Sequence, residues 1–245
     1  MSTPESLDVY LQLLRQHPHL SKTSDDAIYQ IVTDSLVISR WKDQKKRYLQ
    51  QQKKPVEWAE IGVLVDDPYV LILRDLVRSL YKPNPFGYIR ILSKSYLYHK
   101  ESVVILPWWD NHILLLRHYR HPTRRWHYEF PRGFGEPNLP PEQNAYKELY
   151  EEMGIENVIR LKDMGEVFPN TGLEGDPVRL FFAEVEYSDQ SNQNRVEGIQ
   201  SIEALPLDVF EEWIKQGIID DGFTLSAYTR AKLRGLLAGA SVVAP

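Results

Sequence analysis

Between Pro131 and Ile155 the chain reads PRGFGEPNLPPEQNAYKELYEEMGI, and its acids crowd toward the end. Glu142 leads in, then Glu148, Glu151 and Glu152 follow closely. On a helix over 141–153, at about 100° per residue, Glu151 and Glu152 fall about 60° to one side and about 40° to the other of Glu148. Three carboxylates then share one narrow face. Like charges at this spacing repel by roughly a few tenths of a kcal/mol per pair on an exposed helix. A divalent cation reverses that sign, and hard oxygen donors without His or Cys suit Mg2+ or Mn2+. A solvated acidic face is the plain alternative, and the carboxylates alone leave both open. Upstream, Gly133 and Gly135 let the backbone approach a ligand closely, or simply form a turn.

Such a helix needs an anchor and a sheet. Ala145, Leu149 and Met153 recur at i, i+4 and i+8 and can hold it to a core. From about residue 57 the period becomes extended: AEIGVLVDD, YVLILRDLV and GYIRILSKS are short strand-like runs separated by Pro, Asn and Gly. SVVILPWW and HILLLRHY flank Asp110-Asn111, a hairpin turn signal. WHYEF, VIRLKDMGEVF and VRLFFAEVEYS continue the strands. LPLDVFEEWIKQG is a helix with Pro206 at its start and Gly217 at its end, and FTLSAYTRAKLRGLLAG is a last amphipathic one. Strands with few, separated helices predict an α+β fold on a mixed sheet.

The first 55 residues read as a helical extension. Leu7, Tyr10, Leu11 and Leu14 form one stripe; a second helix, N-capped by Ser24, would align Ile28, Ile31, Val32 and Leu36. Pro55 marks the boundary to a domain over 56–245, whose strands within 56–100 are available for dimerisation. Net charge is −5 with a pI of about 5.8, so no global basic field favours nucleic acid. The absence of cysteine excludes disulfides, zinc-thiolate sites and thiol catalysis. No apolar run is long enough for a membrane span and the N-terminus does not read as a signal peptide; a cytoplasmic protein is expected.

Gly133, thirteen residues, then Lys147-Glu148-Leu149-Tyr150-Glu151-Glu152-Met153-Gly154-Ile155 resembles the Nudix hydrolase box without a gap. That box is a Gly, five residues, a Glu, seven residues, then Arg-Glu-apolar-any-Glu-Glu-any-Gly-apolar. Two positions depart: the first Glu is Leu139 here and the Arg is Lys147. In the family those two side chains support one another and the metal-bearing helix. The preceding LLLRHYRHPTRRWHYEFPRG, with Arg117, Arg120 and Pro122, and the later Pro169 are similar to ADP-ribose and nucleotide-sugar pyrophosphatases.

The resemblance implies an α/β/α sandwich and Mg2+-dependent hydrolysis of a nucleoside diphosphate sugar to a nucleoside monophosphate and a sugar phosphate. It implies Glu148 and Glu152, with Glu151, as metal ligands, joined by the Arg132 backbone carbonyl. Glu197, in the loop SDQSNQNRVEGIQ, is the candidate base or further ligand; a second family acid is Arg195 here. Proton abstraction could rest on Glu197, on Glu151 or on metal-bound hydroxide. Arg120, with Arg117 and Arg132, is the candidate for the diphosphate, since a guanidinium forks onto two oxygens. His118, His121 and His127 lack compact ligand spacing and read as strand surface or pocket lining. Trp108, Trp109 and Trp126 read as core or interface before adenine platforms. Members of this branch are usually homodimers. The alternatives are a domain that binds a nucleotide sugar as a sensor without cleaving it, and an enzyme for another diphosphate.

Overall fold

The computed structural model describes residues 4–188 and 198–237. Two compact units emerge: Met1–Leu97 with Asn170–Asp176, and Tyr98–Pro169 with Pro177–Pro245.

In the first unit, helix α1 (Pro4–Gln16) buries the expected stripe, with Tyr10 fully enclosed. Strands β2 (Gly62–Asp66), β3 (Val70–Ser79) and β4 (Lys82–Ser93) are antiparallel, and the stripe shares a core with Leu71, Leu73, Leu76 and Leu92. The Tyr10 hydroxyl donates to Asp75 at 2.5 Å, and Arg90 pairs with the same carboxylate at 2.6 Å, so the buried acid is satisfied. The strands of 57–97 thus belong with the N-terminal helices, and contacts do not divide at Pro55. The expected second helix also starts later. Tyr29–Ile31 is strand β1, paired with Ser79–Val77 of β3, while α2 is Ser35–Gln51. Asp34 caps it by accepting from the amides of Leu36 and Val37 at 2.9 and 3.1 Å. An open strand edge outcompetes the ambiguous helical spacing of Ile28, Ile31 and Val32. Segment 170–176 lies along β4: the Ile91 amide donates to the Leu173 carbonyl at 2.8 Å, and the Gly175 amide returns to the Ile91 carbonyl at 3.1 Å.

The second unit is built on a seven-stranded sheet. Strands β5 (Ser102–Trp109) and β6 (His112–Arg120) form a hairpin across Asp110-Asn111, both at positive φ as a primed turn requires. Beyond the turn the hairpin opens, and β7 (Arg125–Glu129) pairs with β6 while β8 (Arg132–Gly133) pairs with Val103-Val104 of β5. Helix α3 (Pro141–Met153) follows, then β9 (Val158–Val167), β10 (Val178–Val185), β11 (Ile199–Pro206), α4 (Leu207–Lys215) and α5 (Gly222–Leu233). β10 runs parallel to β5 and antiparallel to β9; β11 pairs with β6.

Because both sheet faces are covered, the middle runs of the central strands, 103–106 and 113–116, are apolar at every position. Val103, Ile105, Leu114 and Leu116 pack with Ala145, Leu149 and Met153 of α3. Val104, Leu106, Ile113 and Leu115 point the other way, to Phe210 of α4 and Ala227, Tyr228 and Ala231 of α5. This is the expected mixed α+β fold, a sheet sandwiched by helices.

Candidate active site

Four elements meet at β8. The divergence of β5 from β6 creates a slot that residues 129–133 fill, and the Ile105 amide holds the Pro131 carbonyl there at 3.0 Å. This puts Arg132 and Gly133 beside α3. The Arg132 amide donates to Glu152 Oε2 at 2.9 Å. At Gly133, an added Cβ would lie 2.0 Å from Glu148 Oε1, so the missing side chain is the space that the carboxylate occupies. Glu148 and Glu152 are both buried, at 8% and 4% exposure. Burying two carboxylates side by side on one helix is costly without compensating charge or hydrogen bonds.

Glu151 behaves differently. It is exposed and accepts from Lys147 at 2.6 Å, one helical turn back. The three acids therefore split, two inward and one outward. Among the described residues no group of three or more His, Asp or Glu gathers closely enough to hold a metal ion. Glu197 lies outside the described residues.

The loop from Gly133 to α3 is held by short-range geometry. Gly135 packs on backbone: a Cβ there would meet the Lys100 carbonyl carbon at 2.5 Å. The fully buried Asn144 donates from Nδ2 to the Phe134 carbonyl at 2.9 Å. Pro140 and Pro141 start the helix without spending a needed amide. Gly154, at φ 67°, ends it, with the amides of Gly154 and Ile155 returning to the carbonyls of Tyr150 and Leu149. The Gly-Ile ending of the box is thus a helix stop with an apolar anchor.

The arginines assigned to substrate are engaged with protein. Glu129, fully buried, is bound by Arg120 through Nε at 3.0 Å and also through Nη2. Arg132 Nη2 reaches it at 3.1 Å, and His118 Nδ1 lies 3.0 Å away. Burial pushes the Glu129 carboxyl up, but His118, Arg120 and Arg132 outweigh this and hold it below the usual carboxylate range. Arg132 Nη1 also donates to Asp221 at 3.1 Å, and Asp221 caps α5 through the Thr224 amide and hydroxyl. The Thr224 hydroxyl in turn accepts from the Phe130 amide at 3.0 Å, so β8 and the start of α5 are tied together. Arg117 donates to Gln200 Oε1 at 2.5 Å and lies over the Trp126 ring.

His118 and His127, expected as strand surface or pocket lining, are buried cross-strand partners. Their acids, Glu129 and Asp220, are the reason: His127 Nδ1 lies 2.8 Å from Asp220 Oδ1. His121 is exposed. Glu129, Glu136, Asn144 and Asp221 escaped sequence reading; only Asp221, ahead of Gly-Phe-Thr, carried a recognisable N-cap signal.

The match to a model of the NUDIX domain covers residues 98–221, just over half of the 245 residues. No curated protein matches the sequence. Among solved structures the chain is similar to the crystal structure of an ADP compounds hydrolase, at 17% identity and a TM-score of 0.58, covering 72% of this chain and 93% of that one. That likeness is one of fold. The matched span contains β8, α3 and the whole ion network around Glu129: the chain belongs to the Nudix hydrolase family.

Proposed function

We propose that this chain hydrolyses the pyrophosphate bond of ADP-ribose or a related nucleoside diphosphate sugar, releasing a nucleoside monophosphate and a sugar phosphate. The observation that carries the reading is the convergence of two buried carboxylates, Glu148 and Glu152, on the backbone of Arg132-Gly133. Such a donor set is all hard oxygen and fits Mg2+, with Mn2+ as a substitute. Glu148 and Glu152 would hold the ion together with the Arg132 carbonyl; Glu151 and Glu197 complete the proposed set. When bound, the ion offsets phosphate charge and lowers the pKa of water at the site.

The chain's own residues do the rest. The Arg132 amide fixes one Glu152 oxygen and so orients the other. Gly133 lets the Glu148 carboxylate pack against the strand. Glu197 or Glu151 would accept the proton from the attacking water. Arg117, Arg120 and Arg132 supply positive charge for the diphosphate, the last two while also bracing Glu129. A homodimer in which first-unit strands complete a neighbour's site, and a cytoplasmic location, belong to the same proposal. No helix among the described residues is long and apolar enough to cross a membrane.

The test is a panel of nucleotide sugars incubated with Mg2+ and purified protein, beside Glu152→Gln. AMP release from ADP-ribose that drops at least about 100-fold in the variant supports the proposal. Release no greater than that of the variant, across the whole panel, rejects it.

A further inference from the structure

Lys147 stands where the resembled box has Arg, and Leu139 where it has Glu, so the supporting pair looks lost from sequence. The structure supplies another acid. Lys147 Nζ lies 3.0 Å from Glu136 Oε1, 2.6 Å from Glu151 Oε2 and 3.6 Å from Glu148 Oε1. We propose that Glu136 is a positioning residue of the active site, pairing with Lys147 in place of an acid at 139 and keeping that ammonium from competing for Glu148. The inference rests on the metal-binding reading of Glu148 and Glu152 given above.

Glu136 reaches Lys147 because the loop turns back. The Leu139 amide donates to the Glu136 carbonyl at 3.3 Å, and Asn138 takes a left-handed φ of 64° between them. Gly135, wedged on the backbone at Lys100, and the Phe134 carbonyl, held by Asn144, fix the residues just before it. A lysine also suits this pattern better than an arginine. Its ammonium has three donors that can diverge toward three carboxylates, whereas a guanidinium fork favours one. A lysine side chain is cationic at neutral pH, and this one has three carboxylates within 3.6 Å. Removing Glu136 leaves that cation with Glu151 and Glu148 alone. It then opposes a divalent ion at Glu148.

Mn2+ binding, followed by electron paramagnetic resonance on the full chain, tests this without relying on turnover. The proteins are wild type, Glu136→Gln, Lys147→Gln, the double variant of both, and Glu152→Gln as control. Glu136→Gln is expected to weaken Mn2+ binding about fivefold, the factor matching the upper end of a half-exposed ion pair. The double variant is expected to return to within about twofold of wild type, since the uncompensated charge is gone. A residue serving only the fold would lower the melting temperature in both and show no recovery of binding. Equal binding by wild type and Glu136→Gln, or a double variant as weak as the single, overturns the assignment. Failure of the underlying metal reading looks different: wild type itself would bind Mn2+ no better than Glu152→Gln, and both proposals would fall together.

Discussion

Replacing Gly133 with alanine adds one carbon where the Glu148 carboxylate already sits. The new Cβ would lie 2.2 Å from the carboxyl carbon, whereas real contacts of this kind essentially never fall under 3.0 Å. The carboxylate must therefore retreat by about 1 Å, and a misplacement of that size at a reacting centre costs about 100-fold in rate. The fold is affected much less. Gly133 is not among the positive-φ residues, and the atoms in the way are the far end of a flexible side chain. Its stability should change by less than about 1 kcal/mol. The assay is kcat/KM for ADP-ribose at saturating Mg2+, with Mn2+ binding and thermal melting measured on the same preparation. The expected result is a loss of about 100-fold in kcat/KM, weakened Mn2+ binding and a nearly unchanged melting temperature. Glycine-like activity in the alanine variant, within about threefold of wild type, would refute the idea that this contact sets the position of Glu148.

Gly154→Ala should do the reverse: its φ of 67° makes a side chain cost about 1 kcal/mol, yet nothing lies within 4 Å of the added carbon. Melting temperature falls by about 2–4 °C while activity at 25 °C is kept; a large activity loss with an intact fold would contradict the helix-stop role. Arg120→Ala removes one partner of buried Glu129 and should destabilise by about 2 kcal/mol at neutral pH, by denaturant unfolding. Because the Glu129 carboxyl is held low in the fold, its contribution is present above 4.5, its ordinary value, and is lost as pH falls through the lower folded value. The difference between wild type and variant should shrink on acidification below that point, and a difference growing toward acid would reject the assigned sign. Leu139→Glu/Lys147→Arg should change kcat/KM by less than about fivefold, since Glu136 already serves the lysine; a large gain would show that it does not.

The helix 141–153 was legible because local rules agree there. Two prolines open it, a glycine closes it, and Ala145, Leu149 and Met153 mark its inner face. The strand pairs around Asp110-Asn111 were legible for the same reason. What escaped depended on distant partners. Tyr29–Ile31 became a strand because β3 offered an edge, a fact that no window around residue 30 contains. Arg120 reads as a diphosphate candidate because its guanidinium forks onto two oxygens, whereas the acid it braces, Glu129, lies on the paired strand nine positions later, outside any local pattern. Glu151 matches the same motif as Glu148 and Glu152 but faces outward, because only the other two lie over β8. The periodicity placed all three on one side, while the depth at which each ends is decided by the strand beneath.

The strip 170–176 that lines β4 has a consequence for how the chain is made. The Ser93 amide finds its acceptor, Asp176, 83 positions downstream. At roughly 5–20 residues per second, a ribosome needs about 4–17 s to deliver that partner after β4 has emerged. During this interval the outer rim of the first sheet is uncovered, and an uncovered rim invites pairing with other nascent chains. The first unit thus finishes only after most of the catalytic unit's sheet has been synthesised, and slowing translation between residues 97 and 170 would lengthen its most aggregation-prone moment.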